Sequence, residues 1–244
     1  MKTACITGAG RGIGRATALE LAHNGYNLIL NTGHDEAALI SLKEEIIGIT
    51  KREQSCIISV GDVGDSAYVA SLIENGLKTF GSIDVLINNA GISYVGLLTD
   101  MSDEDISRIV NTNLLSAMYT CRAVIPSMVH NKAGHIINIS SMWGVVGASC
   151  EVVYSATKGG INAFTKALAK ELAPSGISVN ALTLGVIDTD MNKCFSEDDR
   201  KALTEEIPMG RMGKPSEVAE LIYNMIEGPS YLTGSIIDFD GGWV

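Results

Sequence analysis

Residues 3–14 read Thr3-Ala4-Cys5-Ile6-Thr7-Gly8-Ala9-Gly10-Arg11-Gly12-Ile13-Gly14, and they decide the fold. A short apolar run, Thr3–Thr7, passes straight into a glycine-rich turn, and an amphipathic segment, Ile13–Asn24, follows. Glycines let a backbone approach a pyrophosphate, and a helix start supplies amide donors and a partial positive charge. The spacing is Gly8-x3-Gly12-x-Gly14 rather than the usual G-x-G-x-x-G. The strand–turn–helix context is what makes this a phosphate cradle; the plain alternative is a tight turn with no ligand.

Outward from that turn, apolar runs alternate with helical periodicity. Strands are expected at Thr3–Thr7, Asn27–Asn31, Ser55–Val60, Val85–Asn88, His135–Ser140, Ser178–Leu184 and Ile236–Phe239. Most are continuously apolar, as in strands covered on both faces of a parallel sheet. Helices are expected at Ile13–Asn24, Glu36–Thr50, Ser66–Phe80, Ser102–His130, Val153–Leu172 and Ser216–Glu227. This is the pattern of an α/β, doubly wound three-layer sandwich with a seven-stranded, mostly parallel sheet. One domain, 1–244, is the economical reading. Residues 185–213 break the rhythm with a long polar stretch, and a long connection at a strand's carboxyl end shapes a binding site.

Composition narrows the function. The net charge of −10, from 18 basic and 28 acidic residues, argues against nucleic acid and hints against acidic protein partners. No run of about 18 apolar residues exists to span a membrane, and the amino terminus reads as the fold itself. Five scattered cysteines (Cys5, Cys56, Cys121, Cys150, Cys194) lack zinc spacing and read as reduced, mostly buried thiols of a cytoplasmic protein. His23, His34, His130 and His135 have no ligand spacing and read as surface or helix-end residues, so no metal is expected.

An acid at the end of the second strand would hold a ribose 2′-hydroxyl and repel a 2′-phosphate. Asn31 and Thr32 stand there, and Arg11 lies in the turn, which favours NADP(H). Asp35, a few residues later, keeps NAD(H) as the alternative. Asp62-Val63 follows the third strand, where a carboxylate can bind an adenine amino group or simply form a turn. Asn88-Asn89-Ala90-Gly91 closes the fourth strand; one asparagine is expected to bridge neighbouring strands, and the small residues admit a flat ligand. Tyr154 and Lys158, four apart, share a helix face, and a nearby ammonium favours the phenolate. Ser141 ends the fifth strand, where a hydroxyl can bond a substrate oxygen.

TGAGRGIG, NNAG, Asn113, Ser141 and the YSATK box stand in the order and spacing that resembles the short-chain dehydrogenase/reductase family. The resemblance runs from Lys2 to the carboxyl terminus. Through RMGKPSEVA and YLTG the chain is most similar to 3-oxoacyl-[acyl-carrier-protein] reductases. It implies a Rossmann-type fold, a nicotinamide cofactor, a homotetramer, and NADPH-dependent reduction of 3-oxoacyl thioesters in fatty acid biosynthesis. It implies that Tyr154 exchanges a proton with the carbonyl oxygen and Ser141 orients that oxygen. Lys158 would lower the tyrosine pKa and hold the nicotinamide ribose, and Asn113 would anchor a water linking Lys158 to solvent. Cofactor contacts are implied for Gly8, Gly10, Arg11, Gly12, Ile13, Gly14, Thr32, Asp62, Val63, Asn89, Ala90, Gly91, Tyr154, Lys158, Ile187 and Thr189.

Two departures stand out. Leu184-Gly185 replaces the family's common Pro-Gly. Ser175, Lys132 and His135 stand where carrier-protein reductases tend to present stronger basic residues. The charge is also uneven: residues 1–187 hold 16 acids and 13 bases, residues 188–244 hold 12 and 5. That weakens an acyl carrier protein as partner against a coenzyme A thioester or free ketone. The other readings are an NAD(P)-dependent alcohol, sugar or hydroxysteroid dehydrogenase and a non-catalytic dinucleotide-binding sensor. The complete Asn113, Ser141, Tyr154, Lys158 set argues against the sensor.

Overall fold

The computed structural model describes residues 1–190 and 197–244. Among the described residues seven strands form one sheet: β1 (Thr3–Ile6), β2 (Asn27–Thr32), β3 (Cys56–Val60), β4 (Val85–Asn88), β5 (Gly134–Ser141), β6 (Ile177–Leu184) and β7 (Ile236–Phe239). Their order is β3-β2-β1-β4-β5-β6-β7, and every pair is parallel, so the expectation of a mostly parallel sheet sharpens to a wholly parallel one. The order reverses between β1 and β4. A crevice opens there at the strands' carboxyl ends, where doubly wound sheets bind ligands.

Alternation along each strand sends side chains to two cores. Ala4, Ile6, Leu28 and Leu30 meet α1 (Gly12–His23), α2 (Glu36–Thr50) and α9 (Pro215–Glu227) on one face. Cys5, Ile29, Leu86 and Ile136 meet α3 (Ser66–Phe80), α5 (Ser116–Asn131) and α7 (Val152–Leu172) on the other. Burial on both faces is why the strands read as unbroken apolar runs.

Three helical features differ from the sequence reading. The expected helix Ser102–His130 is α4 (Asp103–Val110) joined to α5 through a π turn at Asn111–Leu115. Periodicity at this length does not register one inserted residue, and such turns gather at functional sites. A four-residue helix, α6 (Trp143–Val146), follows β5. The stretch 185–213 contains α8 (Glu197–Glu206), whose charged sequence carries no apolar stripe to announce it. Residues 191–196 of that stretch, Cys194 among them, lie outside the described residues.

Polar side chains tie the middle of the sheet to its helices. Asn88 donates to Asn138 Oδ1 at 2.8 Å and accepts from Thr120 Oγ1 at 2.6 Å, and Asn138 donates to Thr165 Oγ1 at 2.9 Å. Asn88 is therefore the strand-bridging asparagine. Cys5, Cys56 and Cys121 are buried free thiols, pushed up to about 12 by burial. His135 lies on β5, half-buried against Ser178 Oγ at 2.9 Å, not at a surface or helix end.

Asn138→Ala would leave the Asn88 amide with only the Cys121 sulfur at 3.4 Å and deprive the Thr165 hydroxyl of its donor, in a dry interior. Stability should fall by roughly 2–4 kcal/mol in urea denaturation, with the slope unchanged.

Candidate active site

The glycine turn is held open by hydrogen bonds from across the sheet. Asn89 Nδ2 donates to the carbonyls of Thr7 and Gly8 at 3.0 Å each, and Thr7 Oγ1 accepts from the amides of Asn89 and Ala90, also at 3.0 Å. Gly8 has φ of +64°, a conformation that suits glycine. A Cβ on Gly14 would lie 2.4 Å from the Gly8 carbonyl oxygen and 2.7 Å from Asn89 Nδ2. Gly14 is buried and absent from the cavity wall, so its role is helix packing against the turn rather than ligand contact. The start of α1 has no side-chain cap. Its amides are supplied for an anion, which fits a dinucleotide pyrophosphate.

That turn forms one end of a cavity of about 660 Å³. Gly8, Gly10, Arg11, Gly12, Ile13, Thr32, Asp62, Val63, Asn89, Ala90 and Gly91 line it, as do Ser141, Tyr154, Lys158, Ile187 and Thr189. The fold thus gathers residues from the ends of six strands and the start of α7 into one crevice. Asp62 also accepts from the Gly64 amide at 2.8 Å, so its turn role and its place in the wall coexist. Asp35 lines the cavity while its Oδ1 accepts from Ala38 N at 3.0 Å, capping α2.

Asn113 does not line the cavity. Its Oδ1 accepts from Ile92 N and its Nδ2 donates to Ile92 O, both at 2.8 Å, with Thr157 Oγ1 a further 3.3 Å contact. The side chain is committed to fastening the π turn to the chain after β4.

At the other end, Ser141 Oγ accepts from Trp143 N at 3.2 Å, and Ser141 lies near enough to the Tyr154 hydroxyl to oppose the rise in its pKa. Lys158 is buried, donates to the Ile139 carbonyl at 2.8 Å, and sits 5.5 Å from the centre of the Tyr154 ring. Burial lowers Lys158 to about 8. Burial raises Tyr154 to about 12, with Glu151 adding to the rise and Ser141 opposing it. The expectation that Lys158 lowers the tyrosine is therefore not met in the chain by itself, because desolvation disfavours the charged form of both groups.

Residues 2–200 match the family model described as short chain dehydrogenase. The chain belongs to the short-chain dehydrogenase family. It is an oxidoreductase of that family and works with a nicotinamide cofactor. It is 39% identical over 246 residues to an uncharacterized oxidoreductase of Bacillus subtilis, covering 99% of this chain and 98% of that one. It is 39% identical over 245 residues to a 3-oxoacyl-[acyl-carrier-protein] reductase of Chlamydia trachomatis, covering 99% and 96%. The same-named protein of Thermotoga maritima is 38% identical over 244 residues, covering 100% and 98%.

Among the wall residues of this short-chain dehydrogenase that escape sequence reasoning are His34, Arg108, Trp143 and Glu151. His34 lies just past β2, and its position after a strand's carboxyl end was the signal that could have found it. Trp143 and Glu151 come from the unanticipated α6 and the start of α7, and no periodic signal marks them.

Lys158 gives a pH signature. Between about pH 8 and pH 10.5 the unfolded chain, with an ordinary lysine, binds more protons than the folded one, so this group makes stability rise with pH. The stability of the native chain relative to Lys158→Met should grow by about 2 kcal/mol from pH 8 to pH 10 in paired denaturant titrations.

Proposed function

We propose that this short-chain dehydrogenase is a cytoplasmic, NADPH-dependent carbonyl reductase acting on 3-oxoacyl thioesters. The observation that carries it is the convergence of Ser141, Tyr154 and Lys158 on one wall of the cavity whose far end is the glycine turn. Full-length similarity to proteins named 3-oxoacyl-[acyl-carrier-protein] reductase supports the substrate class. Gly8, Gly10, Gly12 and Ile13 would hold the pyrophosphate, Asp62 and Val63 the adenine, and Asn89, Ala90, Gly91, Ile187 and Thr189 the nicotinamide half. When bound, the cofactor supplies the hydride.

The chain's own residues handle the oxygen and its proton. Ser141, aimed by the Trp143 amide, donates to the carbonyl oxygen. Tyr154 keeps its proton at neutral pH and gives it to that oxygen as charge develops there. The Lys158 ammonium then faces the phenolate and stabilises it. Asn113 acts as a positioning residue by fixing the loop after β4.

Arg11, Thr32 and His34 line the cavity near the ends of β1 and β2, where they would meet a ribose 2′-substituent, and the Asp35 carboxylate is occupied as a helix cap. Both features support NADP(H). The acid-rich segment after residue 187 supports a coenzyme A thioester or free ketone over an acidic acyl carrier protein. Ala156, Ala163 and Ala167 are exposed along α7, with Val153, Ile161 and Leu168 on its buried side. This small-residue face supports close helix packing in a homotetramer.

Tyr154→Phe should lower kcat by about 10²-fold to 10⁴-fold while NADPH binding persists; near-normal turnover of acetoacetyl-CoA would sink the assignment. In fluorescence titrations NADPH should bind tighter than NADH, and Arg11→Ala should narrow the gap by about tenfold, the weight of one charged contact. Tighter NADH binding would reverse the cofactor assignment.

A further inference from the structure

The switch point divides the cavity. Arg11, His34, Asp35 and Asp62 follow β1, β2 and β3, on the half that fits the adenosine end of a dinucleotide. Glu151 belongs to the other half, beside the reacting centre. It precedes α7 by one residue, a place where a carboxylate ordinarily caps the helix, yet it makes no capping bond. Its side chain instead lines the cavity, and Trp143, whose only side-chain donor is the indole N–H, is close enough to oppose the rise that burial gives the Glu151 pKa. Trp143 is itself fixed edge-on to Trp243, with ring centres 5.9 Å apart at 64°. A carboxylate has about four acceptor sites, so this side chain keeps acceptor capacity for a donor on a ligand.

Asp190 also lines the cavity. Among the described lining residues outside the adenosine half, the cations are Lys158, which is buried and bonded to the Ile139 carbonyl, and Arg108 of α4, paired with Asp105 at 3.0 Å. Glu151 is also close enough that its charge helps Tyr154 retain its proton.

We propose that Glu151 is a specificity-determining residue: it selects carbonyl substrates that carry a hydrogen-bond donor (a hydroxyl, an amide N–H or an ammonium) a few bonds from the reacting carbonyl, and rejects those carrying a carboxylate there. This rests on the carbonyl reductase reading and adds to it a substrate class. A free 3-oxo acid falls outside that class. A donor gains a charged acceptor in a partly dry site, whereas an anion meets a like charge.

The test uses matched four-carbon ketones: 4-amino-2-butanone, 4-hydroxy-2-butanone and acetoacetate. Affinity for the NADP⁺-saturated protein is read from tryptophan fluorescence, since Trp143 lies in this wall and the chain's other tryptophan, Trp243, packs against it. Turnover with NADPH is read separately. The native protein should bind the amino and hydroxy ketones at least about tenfold better than acetoacetate. Glu151→Gln should collapse the amino-to-acetoacetate ratio by about tenfold, and Glu151→Lys should invert it. A ratio untouched by both variants, with turnover intact, overturns the role of Glu151 and leaves the reductase reading standing. A ratio that responds to Glu151 while no ketone is reduced upholds the recognition role and removes the reductase reading instead.

Discussion

The structure turns on a knot of hydrogen bonds between the first and fourth strands. The Asn89 side-chain amide holds the Thr7 and Gly8 carbonyls, and the Thr7 hydroxyl holds the amides of Asn89 and Ala90. These strands lie side by side where the sheet reverses its winding. The carbonyls of a tight turn at that point have no ladder partners, and a dry crevice offers no water to satisfy them. The amide of Asn89 satisfies two at once and fixes the turn's shape. Gly14 then brings α1 against this knot without a Cβ in the way. The uncapped amides of α1 face the cavity as a result.

Catalytic geometry depends on a second polar layer under the first. Asn88, Thr120, Asn138 and Thr165 form a hydrogen-bonded chain across β4, β5, α5 and α7. Each bond is buried, so breaking one strands its partner. That set holds α7 at a fixed height on the sheet and thereby sets where Tyr154 and Lys158 stand relative to Ser141. The Ser140 hydroxyl adds a bond to the Lys158 carbonyl at 3.2 Å. Asn113 does the same from the other side by stapling the π turn to Ile92. Precision at the site comes from these buried polar contacts, because apolar packing is non-directional.

Electrostatics at the site are set by burial first and by pairing second. Lys158 and Tyr154 move in opposite pKa directions for one reason: each loses water around its charged form. The charge of Glu151 reinforces the tyrosine shift. A protonated tyrosine beside a lysine that still carries a proton at neutral pH is arranged to give a proton to an oxygen that is gaining charge.

The sequence by itself determined the layers, the glycine turn and the order of the motif residues. Apolar runs of strand length, helical periodicity and glycine next to a strand end are local signals, and hydrophobic burial enforces them wherever they occur. The boundaries of α2, α3, β4 and β7 were legible to the residue for that reason. Tertiary structure alone decided which side chains touch. It set Gly14 to packing, committed Asn113 to Ile92, capped α2 with Asp35, and turned Glu151 into the cavity beside Trp143. It also set the sign of the Tyr154 shift, which depends on water excluded by residues distant in the chain. Neither a hydrogen-bond partner nor desolvation is written in local periodicity, because both arise only when separate segments are brought together.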